Sequence, residues 1–294
     1  MDAFDWALVL QTIFVIGAMA FIGLSVSWQQ VVELLRQRKQ FTRGFIANMV
    51  LTPLLAVLLI LVFDLPVDAQ VALLLLGLAP GGMNMLQFTT KIEGRLAHAA
   101  AALLVMTVIA LLIVPLVIVF VPLPREPGEV TVLGTVVAVL AAVVAPMALG
   151  AAVRHRWPET ARKVARPINL VSTIAFVAAI IVSASVKKEA AQVLTPTVLL
   201  VLVLFVAGTL LIGWAMGGRD PVRRQFLATV TSIRNAGLVL LVAMVIFPRA
   251  GVDLVVLAYT MLIIPPNAVL TITKMVQGKR RQKRALKGSE LTGG

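Results

Sequence analysis

The sequence predicts an all-α membrane protein of nine transmembrane helices arranged as an inverted repeat, and three observations carry that expectation. The 294-residue chain is 60% hydrophobic and only 13% charged, with a mean hydropathy of +1.00, whereas soluble domains are about 45–50% apolar. Its apolar runs, such as Val193 to Met216, are continuous on every face, which suits helices rather than the alternating strands of a membrane barrel. Two runs are interrupted by polar, helix-breaking residues, Pro80-Gly81-Gly82-Met83-Asn84 and Ser232-Ile233-Arg234-Asn235-Ala236-Gly237. Lipid cannot hydrogen-bond freed backbone, so such breaks are tolerated only where protein or a water-filled cavity satisfies it. Paired breaks in corresponding halves point to the binding site of a secondary transporter.

A membrane-crossing helix needs about 20 apolar residues, and the expected spans are 6–27, 44–63, 69–90, 96–122, 130–153, 167–186, 193–217, 222–247 and 252–274. Ala18-Met19-Ala20 in the first resembles a signal-peptidase site. However, the flank before it holds Asp2 and Asp5 and no basic residue, so the span is read as a retained helix. Asn48 falls in the second span, the first break in the third, His98 and Pro115 in the fourth. The polar stretch 154–166 reads as a linker. The eighth span holds the second break, and the ninth holds Pro265 and Asn267. Residues 1–275 form a single transmembrane domain in this reading, 276–294 a basic tail, and no soluble domain is expected.

The net charge of +13 is explained by where it lies. One set of loops, with the tail, carries 21 Lys and Arg; the other set carries Arg125, Lys187, Lys188 and Arg249; Arg234, inside a span, completes the 26. That asymmetry puts the N-terminus outside and the C-terminus in the cytoplasm of an inner-membrane protein. The tail Lys279-Arg280-Arg281-Gln282-Lys283-Arg284 then sets topology and meets anionic lipid, not nucleic acid. With alternating direction, the two broken spans are antiparallel, and each is followed by a proline-bearing span. Spans five to nine therefore read as one unit, and spans one to four as its inverted copy lacking one helix.

Asn48-Met49-Val50-Leu51-Thr52-Pro53-Leu54-Leu55-Ala56, Leu76-Gly77-Leu78-Ala79-Pro80-Gly81-Gly82 and Asn235-Ala236-Gly237-Leu238, in that order on those spans, resemble the bile acid:sodium symporter family. The resemblance covers nearly the whole chain. It implies a panel domain, here spans one, five and six, and a core domain whose crossed broken helices form the site. It also implies alternating access by rocking of one against the other. The family's sodium ligands do not carry over. Its Ser-Asn pair at the first break falls on Met85 and Leu86, and its hydroxyls on the next helix fall on Ala99 and Leu103. The family's glutamate falls on Val230 and its glutamine on Arg234. Sodium needs several oxygen ligands and is repelled by a fixed guanidinium, so sodium coupling is not expected.

Arg234 is the leading candidate, because a charge at membrane depth costs about 2.5–3.5 kcal/mol and normally marks a pathway or a partner. It can replace the charge of a sodium ion, hold a carboxylate or sulfonate through its planar fork, or bridge backbone carbonyls at the break. Asn84 and Asn235 at the breaks serve equally as caps or as substrate contacts. Asn48, Ser232 and Asn267 complete the expected substrate-binding set, while Pro80, Gly81, Gly82 and Gly237 shape the backbone so that half-helix N-termini favour an anion. The chain has no cysteine, and its histidines are only His98 and His155, so no metal or cofactor is expected. No span pairs a nucleophile with a base, which argues against an enzyme. The expected function is transport of a small organic anion, a carboxylate or sulfonate that includes bile-acid-like molecules. The alternatives are a sodium symporter using Asn48, Thr231 and backbone carbonyls, and a membrane anion receptor. Oligomeric state is open, a monomer included.

Overall fold

The computed structural model describes residues 3–36, 38–81, 105–110, 113, 132–186, 190–246 and 251–292. Its regular elements are helices. Among the described residues, Trp6–Ser25, Arg38–Val62, Pro158–Val182, Pro196–Met216 and Val252–Ile272 are long and apolar enough to cross a membrane, and Val67–Leu78 is a shorter apolar helix. Most of the expected fourth span with Pro115, and the part of the third beyond Gly81, lie outside the described residues.

Helix α1 (Ala3–Ser25) packs along α6 (Val132–Arg156) and α7 (Pro158–Val186). The contact is backbone to backbone: a Cβ on Gly23 would lie 2.1 Å from the Met147 carbonyl oxygen, and one on Gly150 2.4 Å from that of Ala20. The stretch 154–166, expected as a linker, is helical except at Trp157. Arg154, His155 and Arg156 suit the carbonyl end of α6, while Pro158 and Glu159 suit the amide end of α7. Two polar helix ends meeting at one residue read as a linker to a hydropathy window.

Between α1 and the second span lies a short amphipathic helix, α2 (Trp28–Arg36). Next, α3 (Arg38–Ile46), a π-helical turn (Ala47–Leu51) and α4 (Thr52–Val62) run on as one rod. That rod starts before the expected residue 44 because its first turns are polar. Helix α5 (Val67–Leu78) follows Pro66, and Asp68 favours its amide end. Helices α8 (Pro196–Met216) and α9 (Pro221–Ser232) both open on proline behind a capping side chain, Thr195 and Asp220 respectively. Helix α10 (Ala236–Ile246) precedes α11 (Val252–Thr292), which carries Pro265 and Pro266 inside it and continues through the basic tail. The Gly251 amide donates to Asp68 Oδ2 at 2.7 Å, tying the start of α11 to the start of α5. Tyr259 and Phe205, each at most 1% exposed, pack ring to ring at 5.8 Å in the core between α11 and α8.

Candidate functional site

Both expected breaks are present where they are described, and they cross. Helix α5 ends at Leu78, and Pro80, which has no N–H, lies in a non-helical stretch in which Gly81 takes φ 77°. Helix α9 ends at Ser232, and Ile233 to Asn235 are not helical before α10 begins at Ala236. The two stretches pair antiparallel at Pro80 and Arg234. The Gly81 amide donates to the Ile233 carbonyl at 3.1 Å, and the Asn235 amide donates to the Ala79 carbonyl at 2.7 Å. Each break thus satisfies the backbone that the other leaves free, as apolar surroundings require.

Arg234, 2% exposed, lies inside this crossing. Its Nε donates to the Leu76 carbonyl at 2.7 Å and one terminal nitrogen to the Gly77 carbonyl at 2.5 Å. The other terminal nitrogen donates to Asn48 Oδ1 at 2.8 Å and to the Thr231 carbonyl at 3.2 Å. Four of the five N–H groups of a guanidinium are therefore engaged, and every one of these acceptors is a neutral oxygen. Three are carbonyls at the C-terminal ends of α5 and α9, where helix carbonyls lack intrahelical partners and the dipole is negative. The arginine acts as a cation shared by two helix C-termini.

Asn48 sits in the π-helical turn, buried, and its amide donates to the Gly44 carbonyl at 2.9 Å and to Thr231 Oγ1 at 3.3 Å. π turns of this kind recur at functional sites. Ser232 and Asn267 form a second pair: Asn267 Nδ2 donates to Ser232 Oγ at 3.2 Å and to the Ile263 carbonyl at 3.0 Å. The Tyr259 hydroxyl donates to the Ser232 carbonyl, so α11 holds the end of α9. Asn235 caps α10 by accepting from the Leu238 amide at 3.1 Å, and its Nδ2 lies 3.4 Å from Thr107 Oγ1. Hence five of the six expected substrate contacts, Arg234, Asn48, Asn235, Ser232 and Asn267, meet at the crossing, and each is bonded to protein. Asn84 and Gly82 lie outside the described residues. Gly237 lies under α1, where an added Cβ would meet the Met19 methyl at 3.4 Å.

Four participants were not singled out from sequence. Leu76 and Gly77 offer only carbonyls, and Thr107 is one hydroxyl in an apolar run. Tyr259 is the one tyrosine in the chain, and that rarity was the available signal.

A cavity of about 30 Å³ lies between α1 and α7 on one side and the crossing and α11 on the other. Phe14 and Met19 wall it from α1, Phe176 from α7, and Tyr259 and Thr260 from α11. The Phe14 and Phe176 rings are 4.6 Å apart. A space of this size corresponds to roughly one water molecule, far below the roughly 300–1,000 Å³ of an organic ligand pocket.

Residues 12–196 match the model of the Sodium Bile acid symporter family. The match ends before α9 and Arg234. An uncharacterized sodium-dependent transporter, YocS, of Bacillus subtilis (strain 168) is 29% identical over 189 residues. That alignment covers 63% of this chain and 57% of the relative, so the chain spans little more than half of the relative's length. With well over half of its residues in the family match and apolar helices crossing at two broken segments, the chain is a multi-pass membrane protein that belongs to the Sodium Bile acid symporter family.

Proposed function

We propose that this protein is a secondary transporter of a small organic anion, working by alternating access without sodium, with Arg234 as its permanently bound cation. The observation that carries this reading is the guanidinium itself. It occupies an all-oxygen cluster, Leu76 O, Gly77 O, Thr231 O and Asn48 Oδ1, at the ends of two half-helices. Such neutral oxygens are what a hard cation seeks. A second positive charge about 4 Å away would be repelled by roughly 4 kcal/mol at an effective dielectric of 20, about a thousandfold in affinity. Arginine and sodium therefore compete for one role, and the covalently attached one prevails.

Because its N–H groups are engaged, Arg234 attracts the anion mainly through its charge, supported by the amide end of α10 beside the cavity. The anion's apolar part faces Phe14, Met19 and Phe176. Alternating access would then be movement of the α1–α6–α7 panel against the crossing, across the small cavity between them. The panel helices contact one another extensively, which suits movement as a unit. In the membrane the N-terminus is outside and the basic C-terminal helix cytoplasmic, following loop charge. The likeness to a sodium-dependent Bacillus transporter favours a second reading, sodium-coupled symport through the same oxygens.

The testing experiment is counterflow in proteoliposomes with a panel of radiolabelled carboxylates and sulfonates. Saturable exchange of at least one is expected. Binding of an anion by folded protein with no exchange would instead show a receptor.

A further inference from the structure

We propose that α2, the start of α3 and the turn between α8 and α9 together form a binding surface for the headgroup of an anionic phospholipid. The proposal does not depend on the substrate or on sodium.

Helix α2 is a separate element and not a frayed end of α1. Ser27 and Gln30 cap it reciprocally, the Ser27 amide donating to Gln30 Oε1 at 3.0 Å and the Gln30 amide to Ser27 Oγ at 3.4 Å. Val31 is buried, whereas Trp28 is 73% exposed and Leu35 44% exposed. Arg36, Arg38, Lys39 and Arg43 follow, all exposed.

The second half of the surface meets the first at Gly218, whose φ of 74° turns the chain between α8 and α9. The Arg43 guanidinium lies directly over this glycine, 2.7 Å from where a Cβ would be. Arg224 approaches the same residue, its Nε donating to the Gly218 carbonyl while its guanidinium lies 4.2 Å from the Trp214 ring centroid. Trp214 is 50% exposed, and Arg219 is exposed beside it. The carboxylates of these segments are Glu33 and Asp220; Asp220 caps α9 and lies 3.8 Å from Arg223. Cations therefore outnumber carboxylates severalfold.

Three features select a phospholipid over other polyanions. Exposed tryptophans flank the cations, as at the headgroup level of membranes. The surface is continuous with α1 and the α3–α4 rod, both apolar enough to span, which fixes its height. Exposed Trp28 and Leu35 beside Arg36 to Lys39 match acyl chain beside phosphate. A phosphate here would also clamp α3, which leads to Asn48, onto the turn that leads through α9 to Arg234.

The test is a thermal-shift titration of the detergent-solubilised full chain with phosphatidylglycerol, phosphatidylcholine or inorganic phosphate. Arg36→Gln, Arg38→Gln and Lys39→Gln are combined in one variant. A control combines Arg156→Gln, Lys163→Gln and Arg166→Gln, removing equal charge from exposed positions at the α6–α7 junction. Phosphatidylglycerol alone should stabilise the wild type. The Arg36/Arg38/Lys39 triple variant should need roughly a hundredfold more of it, and the control should behave as wild type. An unshifted titration of the Arg36/Arg38/Lys39 variant, an equal shift in the control, or the same stabilisation by inorganic phosphate would each overturn the proposal. If the triple variant does not fold, Lys39→Gln alone should still need roughly fivefold more lipid.

Discussion

At the scale of single residues, Arg234 bridges the two broken helices through one side chain. Its removal leaves three helix-end carbonyls and Asn48 Oδ1 buried without their donor. Leaving a buried acceptor unsatisfied costs about 1–3 kcal/mol, and several are stranded together, so Arg234→Ala should markedly lower the thermal midpoint. Arg234→Lys should recover part of it, because an ammonium keeps the charge but not the planar fork. A midpoint unchanged in Arg234→Ala would remove the arginine from its bridging role. Asn235→Ala should cost about 1 kcal/mol through loss of the α10 cap, visible in the same melting experiment. The importance of Arg234 was legible in the sequence as a charge in an apolar run. Bridging of backbone carbonyls was among its readings and Asn48 was in the expected set, but Leu76 and Gly77 were not identifiable, because they are separated from it by more than 150 positions and offer only backbone. A carbonyl leaves no trace in residue type.

Elements were legible where backbone chemistry dictates them. Pro80 and Gly81 announce the first break, and the structure shows why: one lacks a donor, the other takes a left-handed φ. Gly81→Ala should cost about 1–2 kcal/mol for a Cβ at that φ, and a variant as stable as wild type would refute the geometry. Gly150→Ala should be worse, because its Cβ would stand 2.4 Å from the Ala20 carbonyl oxygen. The expected readout is a lower thermal midpoint as α1 is pushed from α6, and an undisturbed midpoint would contradict that contact. Element limits were less legible. The polar starts of α3 and α7 project beyond the apolar run, and hydropathy records the hydrocarbon rather than the helix. The π turn at Asn48 was invisible for another reason: beside its local bonds it is tied by tertiary ones to Arg234 and Thr231, which sequence spacing does not reveal.

For the whole molecule, loop charge predicts that an N-terminal tag is reached from the external side and a C-terminal tag only from the cytoplasm. Two tags on one side would contradict the span count and the antiparallel direction of the broken helices. The family match stops at residue 196, while Arg234, on which the proposed sodium independence rests, lies beyond it. The most direct measurement of the central claim is anion counterflow by the wild-type protein in proteoliposomes with sodium replaced throughout by choline. The guanidinium account predicts an undiminished rate. A rate that vanishes without sodium and returns as sodium is added would show that Arg234 does not stand in for the ion.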